Sequence, residues 1–335
     1  MRARTVVPVA LLSVSPLLIV LTVLISILYG AVNIDARTVW EAVFHFDPGN
    51  VNHQIIVSSR LPRALGALLI GAFLAVSGAL MQGMTRNYLA SPSIMGVSDG
   101  SAFVITLCMI LSPGASSLEM MMFSFIGSAL GVVLVFGMAS LLPGGMSPVR
   151  MAILGTIIGT FLSSVSAAMA TYFQTSLNVS FWYNARLHQM NPDLIKLAVP
   201  FAVIGIAISL YISRSVTILS LGDEVSAGLG QRTVLVKAAA LGAVVIMTGA
   251  SVAMAGKIGF IGLIIPHITR FLIGVDYKWI VPCAAVLGGV FLALSDVLSR
   301  FINFPFETPV GVVTALVGVP FFLYLARTRG GRKHA

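Results

Sequence analysis

Ten runs of almost uncharged sequence punctuate the chain, at about 13–32, 64–83, 93–112, 120–142, 151–172, 195–213, 238–256, 258–275, 279–298 and 309–326. A helix needs about 20 apolar residues to cross about 30 Å of hydrocarbon. Each run therefore predicts one membrane-spanning helix, and ten of them with short connections use most of the 335 residues. The fold class expected is an all-α integral membrane protein of about ten transmembrane helices, with 1–335 as a single transmembrane domain. That arrangement leaves no room for a soluble catalytic domain. The eighth run is the least regular, because Gly259, Gly262, Pro266, His267 and Arg270 interrupt it. Broken backbone survives at membrane depth only where protein or water covers it, so this span is expected to avoid lipid. Arg2 and Arg4 ahead of the apolar stretch Val6 to Val32 give the start of the chain a signal-peptide flavour, but the stretch is too long for one and no clear cleavage site follows. A retained first span is the expectation.

Within the runs, Ala64-Leu65-Gly66-Ala67 opens the second span and Ala240-Leu241-Gly242-Ala243 opens the seventh. Five crossings apart, such copies would have opposite orientation, as in the inverted repeats of many transporters. Spans 2–5 and 7–10 are thus a candidate repeat, although a short Ala/Gly match also arises by chance. Glycines number 32 and include Gly127/Gly131 and Gly155/Gly159 at Gly-x-x-x-Gly spacing, which lets helix backbones approach closely. This spacing speaks to packing and says little of function.

Composition sharpens the membrane reading. Hydrophobic residues make up 58% and charged residues 9%, with a mean hydropathy of +1.00, where soluble domains carry about 25% charged residues. The formal net charge of +9 raises nucleic acid as a partner, but the basic residues are scattered between apolar runs and no nucleic-acid face is expected. With the N-terminus in the cytoplasm, the inner loops collect Arg2, Arg4, Arg86, Arg150, Arg214, Arg232, Lys237, Lys278, Arg327, Arg329, Arg332 and Lys333. The outer side keeps Arg37, Arg60, Arg63, Arg186, Lys196, Lys257 and Arg300. The positive-inside rule then puts both termini in the cytoplasm of a multi-pass membrane protein, and Arg60, Arg63 and Arg300 need a reason to be outside.

Candidate chemistry is sparse. Asp99, Arg270 and, near a membrane edge, Asp296 are ionisable residues within the apolar spans, where such groups mark ion or proton pathways by default; Asp99 reads first as a buried polar group or helix cap beside Ser98 and Ser101. Cys108 and Cys283 stand alone in apolar runs and predict neither disulfide nor metal site. His45, His53, His188, His267 and His334 lack ligand-like spacing, so no metal is expected. Gly249 to Lys257 (GASVAMAGK) superficially suggests a phosphate loop, but Ser251 stands where the first Gly is needed and Ile258 replaces the Ser or Thr for magnesium. The chain is not expected to bind ATP by that route, and any energy from ATP would have to come from another subunit. The polar stretch Arg214 to Arg232 holds LGDEVSAGLGQR from Leu221. Ser220 or Asp223 could cap a short helix there, with acidic residues in its first turn and Gly228 and Gly230 ending it. Such a helix suits docking, and an ordinary solvated loop is the alternative.

Several segments together resemble the iron-siderophore and vitamin B12 importer permeases of ATP-binding-cassette systems. They are Arg60-Leu-Pro-Arg63, GAFLAVSGALMQGMTRNYLASP (Gly71 to Pro92) with Gly96, LGDEVSAGLG (Leu221 to Gly230), GKIGFIGLIIPHITR (Gly256 to Arg270), SDVLSR (Ser295 to Arg300), ETPVG (Glu307 to Gly311) and GVPFF (Gly318 to Phe322). The resemblance covers nearly the whole chain and implies a type II importer permease fold. It also implies a dimer with a homologous or identical second permease, two separate ATPases that bind the ATP and magnesium, and no cofactor on this chain. Gly222, Asp223, Glu224, Ala227, Leu229 and Gly230 would then meet an ATPase in a coupling loop at 214–232. Arg60, Arg63 and Arg300 would meet acidic residues of an extracellular binding protein, which supplies the missing reason for them. Tyr88 departs from the family's usual Pro. FWYNARLHQMNPD (Phe181 to Asp193), SILYGA (Ser26 to Ala31) and HFDPGN (His45 to Asn50) are similar to the ferric-bacillibactin branch of Gram-positive bacteria. That branch implies a ferric catecholate siderophore as cargo, a heterodimer and a lipid-anchored binding protein. Other iron chelates, haem or a corrinoid remain alternative cargoes. An ion-coupled secondary carrier is the rival from another class, and a membrane-embedded enzyme is disfavoured because no paired carboxylates or nucleophile and base stand out.

Overall fold

The computed structural model describes residues 3–30, 34–142, 147–183, 187–304 and 306–330. Arg2, Arg186, Arg332, Lys333 and His334, weighed above, lie outside the described residues. Every apolar run is helical: α1 (Ala3–Leu28), α4 (Leu61–Thr85), α5 (Val97–Leu111), α6 (Ser117–Leu141), α7 (Pro148–Tyr172), α9 (Pro192–Leu219), α11 (Thr233–Ala255), α12 (Ile261–Ile273), α13 (Tyr277–Ser299) and α14 (Val310–Gly330). Short helices α2 (Ala36–Phe44), α3 (Val51–Ile55), α8 (Ser176–Tyr183) and α10 (Asp223–Gly228) lie in the connections. Among the described residues seven helices are long and apolar enough to cross a bilayer, and the apolar helices in α5, α12 and α14 are shorter.

Helix α4 is the axis of the molecule. It is apolar on every side, the pattern of a helix enclosed by others, and it packs against α13, α11, α12 and α9. Where it crosses its neighbours it carries glycine: a Cβ at Gly71 would run into the backbone of Gly288 in α13, and one at Gly78 into the backbone of Gly262 in α12. Gly127 and Gly131 of α6 act in the same way against the backbone of Gly100 and Gly96, as does Gly155 of α7 against that of Ile94, whereas Gly159 faces the Asp99 side chain. Without a hydrophobic force between helices in lipid, this close approach is what holds them together.

The packing follows a mirrored scheme. Helix α4 meets α13 and α12, while α11 meets α6 and α5; α5 contacts α6 and α7 as α12 contacts α13 and α14. The order of long, short, long and long helices is the same in α4–α7 and α11–α14. Each short helix follows an irregular segment with left-handed backbone, at Gly96 (φ 73°) before α5 and at Gly256 (φ 73°) and Phe260 (φ 68°) before α12.

Helix α12 carries Pro266, which has no N–H to give to the carbonyl of Gly262 one turn earlier. The side-chain amide of Gln82 on α4 donates to that carbonyl at 3.2 Å. The Gln82 Oε1 in turn accepts from Arg270, whose guanidinium lies 4.3 Å from the Tyr88 ring centroid and donates to the Tyr277 hydroxyl at 3.2 Å. The broken eighth span is thus buried in protein, as its backbone demanded, and repaired by its central neighbour.

Candidate docking and coupling sites

The three arginines singled out in sequence converge on one end of the bundle. Helix α1 ends at Leu28 with carbonyls that have no partner further along the helix. Arg60, at the start of α4, donates from Nη1 to the carbonyl of Ile27 at 2.5 Å, and Arg300, at the end of α13, donates from Nη1 to the carbonyls of Ser26 and Tyr29 at 2.7 and 2.9 Å. Cations at a helix C-terminus also suit its dipole. Between Arg300 and Arg63 lies Asp296, only 1% exposed. It accepts from Arg63 Nη2 at 2.8 Å and Nε at 3.0 Å, and from Arg300 Nη2. Arg63 Nη1 reaches Glu307 at 2.8 Å.

The geometry therefore gives these arginines an internal occupation. Arg300 is 5% exposed and Arg63 has its guanidinium engaged on two carboxylates. Arg60 is the half-exposed member of the group. Three guanidiniums face two carboxylates, so the cluster keeps a positive balance at this end. Asp296 and Glu307 are the site residues that sequence reasoning did not place here. Asp296 falls four residues before Arg300, a helical ion-pair spacing that was visible in the chain.

The opposite end of α4, about 37 Å away at 1.5 Å per residue, carries the coupling segment. Helix α10 is six residues long and is bracketed by Gly222 (φ 125°) and Gly230 (φ 79°), conformations that other residues adopt only under strain. Gly222 itself takes the N-cap position, so neither Ser220 nor Asp223 caps this helix; Ser220 closes α9 by donating to the Thr217 carbonyl at 2.7 Å, and Asp223 is the first helical residue. The bounds at Gly228 and Gly230 are those expected.

Ser226 pins α10 to the end of α9 by donating to the Ile218 and Gly222 carbonyls at 3.0 and 2.7 Å. Gln231 donates to the Ser215 carbonyl at 2.8 Å, and Asp223 pairs with Lys237 of α11 at 2.8 Å. Held on three sides, the segment presents Leu221, Val225 and Leu229 to the outside, with Leu221 and Leu229 63% and 65% exposed. Val225 lies on α10 and Leu221 and Leu229 at its two ends, an exposed apolar ridge with exposed Asp223, Glu224 and Ala227 beside it.

Two other sequence motifs are also placed. Gly249 to Ala255 is the end of helix α11 and offers no loop for a phosphate. Lys257, just beyond it, pairs with Asp99. Among the described residues no group of three or more His, Cys, Asp or Glu side chains could hold a metal.

Among the described residues, seven helices long and apolar enough to cross a bilayer fit a multi-pass membrane protein. The chain belongs to the FecCD transport family, whose pattern matches residues 17–328, the family its motifs resemble. It is 61% identical over 324 residues to the iron-uptake system permease FeuB of Bacillus subtilis, covering 97% of both chains. It is 49% identical to the iron(3+)-hydroxamate import permease FhuB of the same organism, over 97% of this chain and 85% of that one. A metal-chelate type ABC transporter, solved in an inward-facing conformation, superposes with a TM-score of 0.80 at 27% identity, over 96% of this chain and 99% of its own.

Proposed function

We propose that this chain is one half of the membrane pathway of an ATP-driven importer for a ferric siderophore of the catecholate class, the bacillibactin or enterobactin type. Ten crossings with both termini in the cytoplasm fit the distribution of Lys and Arg. The mirrored packing of α4–α7 and α11–α14 supports an inverted repeat, the usual scaffold for alternating access. A second, homologous permease would complete the pathway, two separate ATPases would bind ATP and magnesium, and a lipid-anchored binding protein would deliver the chelate.

The observation that carries this reading is α10. A six-residue helix clamped by Ser226, Gln231 and the Asp223–Lys237 pair, yet exposing Leu221, Val225 and Leu229 to water, has no structural need for that apolar ridge. An apolar anchor entering a pocket on a partner is what such exposure fits. ATP binding would move the partner, and the clamp would pass the movement to α9 and α11. At the other end, Arg60 would contact an acidic lobe of the binding protein directly, with Arg63 and Arg300 fixing the surface that bears it. High identity to FeuB supports iron as the cargo.

Leu229→Asp together with Val225→Asp tests the coupling role. Both side chains are exposed, so the melting temperature of the permease should stay within about a degree or two of wild type. Co-purification of the ATPase should fall at least about thirtyfold, the effect of losing about 2 kcal/mol of anchor contacts, and chelate uptake with it. Undiminished ATPase binding by a folded double variant would refute the role of α10.

A further inference from the structure

Behind the bundle axis, two adjoining cavities of about 490 and 530 Å³ open along one face of α7 and share Ser163 and Ala167 in their walls. Each is of the size that takes a small ligand. Thr156, Thr160, Ser163 and Ser164 of α7 and Ser176 and Ser180 of α8 give this surface its hydroxyl character. Its charged residues are Lys257, in the irregular segment between α11 and α12, and Asp99, in the first turn of α5.

The two charges form one cluster. The Lys257 ammonium pairs with Asp99 Oδ1 and donates to Ser163 Oγ at 3.3 Å, while Ser163 Oγ donates to the same carboxylate oxygen at 3.2 Å. Gly159, one turn before Ser163, leaves the space that the Asp99 carboxylate fills. The ammonium also lies 5.8 Å from the centroid of the Tyr183 ring. An ammonium has three N–H groups, of which Asp99 and Ser163 take two. The side chain of Lys257 is 33% exposed against 13% for Asp99; the cation lines the 490 Å³ cavity and the carboxylate the adjoining 530 Å³ one, so it is the 490 Å³ cavity that meets the cation.

The ammonium is partly exposed to the 490 Å³ cavity beside the hydroxyls of α7 and α8 and the Tyr183 ring, within reach of a ligand held there. We propose that Lys257, backed by Asp99 and Ser163, is the charge-selecting contact of a subsite for an anionic, catecholate-bearing metal chelate. The inference rests on the importer reading above and deepens it. Three doubly charged catecholates around ferric iron leave a trianion whose phenolate oxygens accept from the ammonium and the serine and threonine hydroxyls, and whose rings can lie against Tyr183. Asp99 offsets the lysine charge, so that the chelate is recognised and still released.

The test uses the permease with its second permease and ATPases in lipid nanodiscs, and two radio-iron probes: a ferric tris-catecholate trianion and a neutral ferric tris-hydroxamate. Lys257→Gln should weaken binding of the trianion about five- to tenfold, the loss of one partly solvated charge contact, and leave the neutral probe unchanged. Asp99→Asn should tighten the trianion by a similar factor and slow its release. Opposite shifts from the two halves of one ion pair are the signature of a charge-selecting contact. Equal losses for both probes in both variants, with a fallen melting temperature, would make the pair structural and overturn the proposal, as would no shift in either variant. The wild-type complex, reconstituted in proteoliposomes with the binding protein outside, is assayed in parallel for ATP-dependent uptake of the trianion. Its failure there strikes the importer reading, whereas uptake without the opposite shifts strikes the subsite alone.

Discussion

Asp296→Ala is expected to destabilise the folded permease by about 3–5 kcal/mol, the effect of removing one partner from a buried ion cluster. Asp296 is enclosed between Arg63 and Arg300, and its loss leaves Arg300, itself buried, with only the Ser26 and Tyr29 groups at the end of α1. Arg63 retains Glu307 and suffers less. The chain carries its own reporters, because Cys108 and Cys283 are buried thiols on α5 and α13. A thiol-reactive dye followed during heating in detergent reads their exposure directly. The variant should label at a clearly lower temperature than wild type, with Asp296→Asn between the two, since it keeps the shape and some hydrogen bonds but not the charge. Unchanged melting of the alanine variant would mean that Arg63 and Arg300 do not share this carboxylate. The consequence for function is practical: charge reversal at Arg300 disturbs this cluster, so the docking role is read at the half-exposed Arg60, with melting followed alongside because Arg60 also caps the end of α1.

The second large effect is expected at Gly78→Ala. The added methyl meets the Gly262 carbonyl, which belongs to the repaired first turn of α12. Overpacking usually costs about 1–3 kcal/mol, and the upper end applies because α4 is held on its other sides by α9, α11 and α13. At Gly137 in α6 an added methyl would have no neighbour within 4 Å, so Gly137→Ala should be neutral or stabilising by up to about 1 kcal/mol, the ordinary helix preference for alanine. The same dye assay compares them. Equal behaviour of the two variants would contradict the close crossing of α4 and α12.

Much of this was legible along the chain. All ten apolar runs became helices because their pattern is local, and the glycines of α6 and α7 were readable as crossing points because their spacing is helical. The eighth span announced its burial through Pro266, and Pro266 also implied an orphan carbonyl at Gly262. What the sequence could not point to was its partner, Gln82, 180 residues away. The same holds for Lys257 with Asp99 and for Arg63 with Asp296, which are 158 and 233 residues apart: pairs formed by tertiary packing leave no periodic trace. Sequence reasoning looked outward to explain the external arginines, and the structure adds an inward explanation, the carbonyl end of α1 and a buried carboxylate. The cap of α10 was misplaced for a different reason. Ser220 and Asp223 have cap-forming side chains, but the sharp turn out of α9 needs positive φ, which Gly222 alone supplies there.

The central claim is that this permease moves a ferric chelate at the expense of ATP hydrolysed by a docked partner. Uptake of a radio-iron tris-catecholate into proteoliposomes holding both permeases and the ATPases, with the binding protein outside, tests it most directly. The account predicts uptake that requires ATP inside the vesicles and disappears with the Leu229→Asp and Val225→Asp ridge variant. Uptake driven by an ion gradient in the absence of ATP would contradict it.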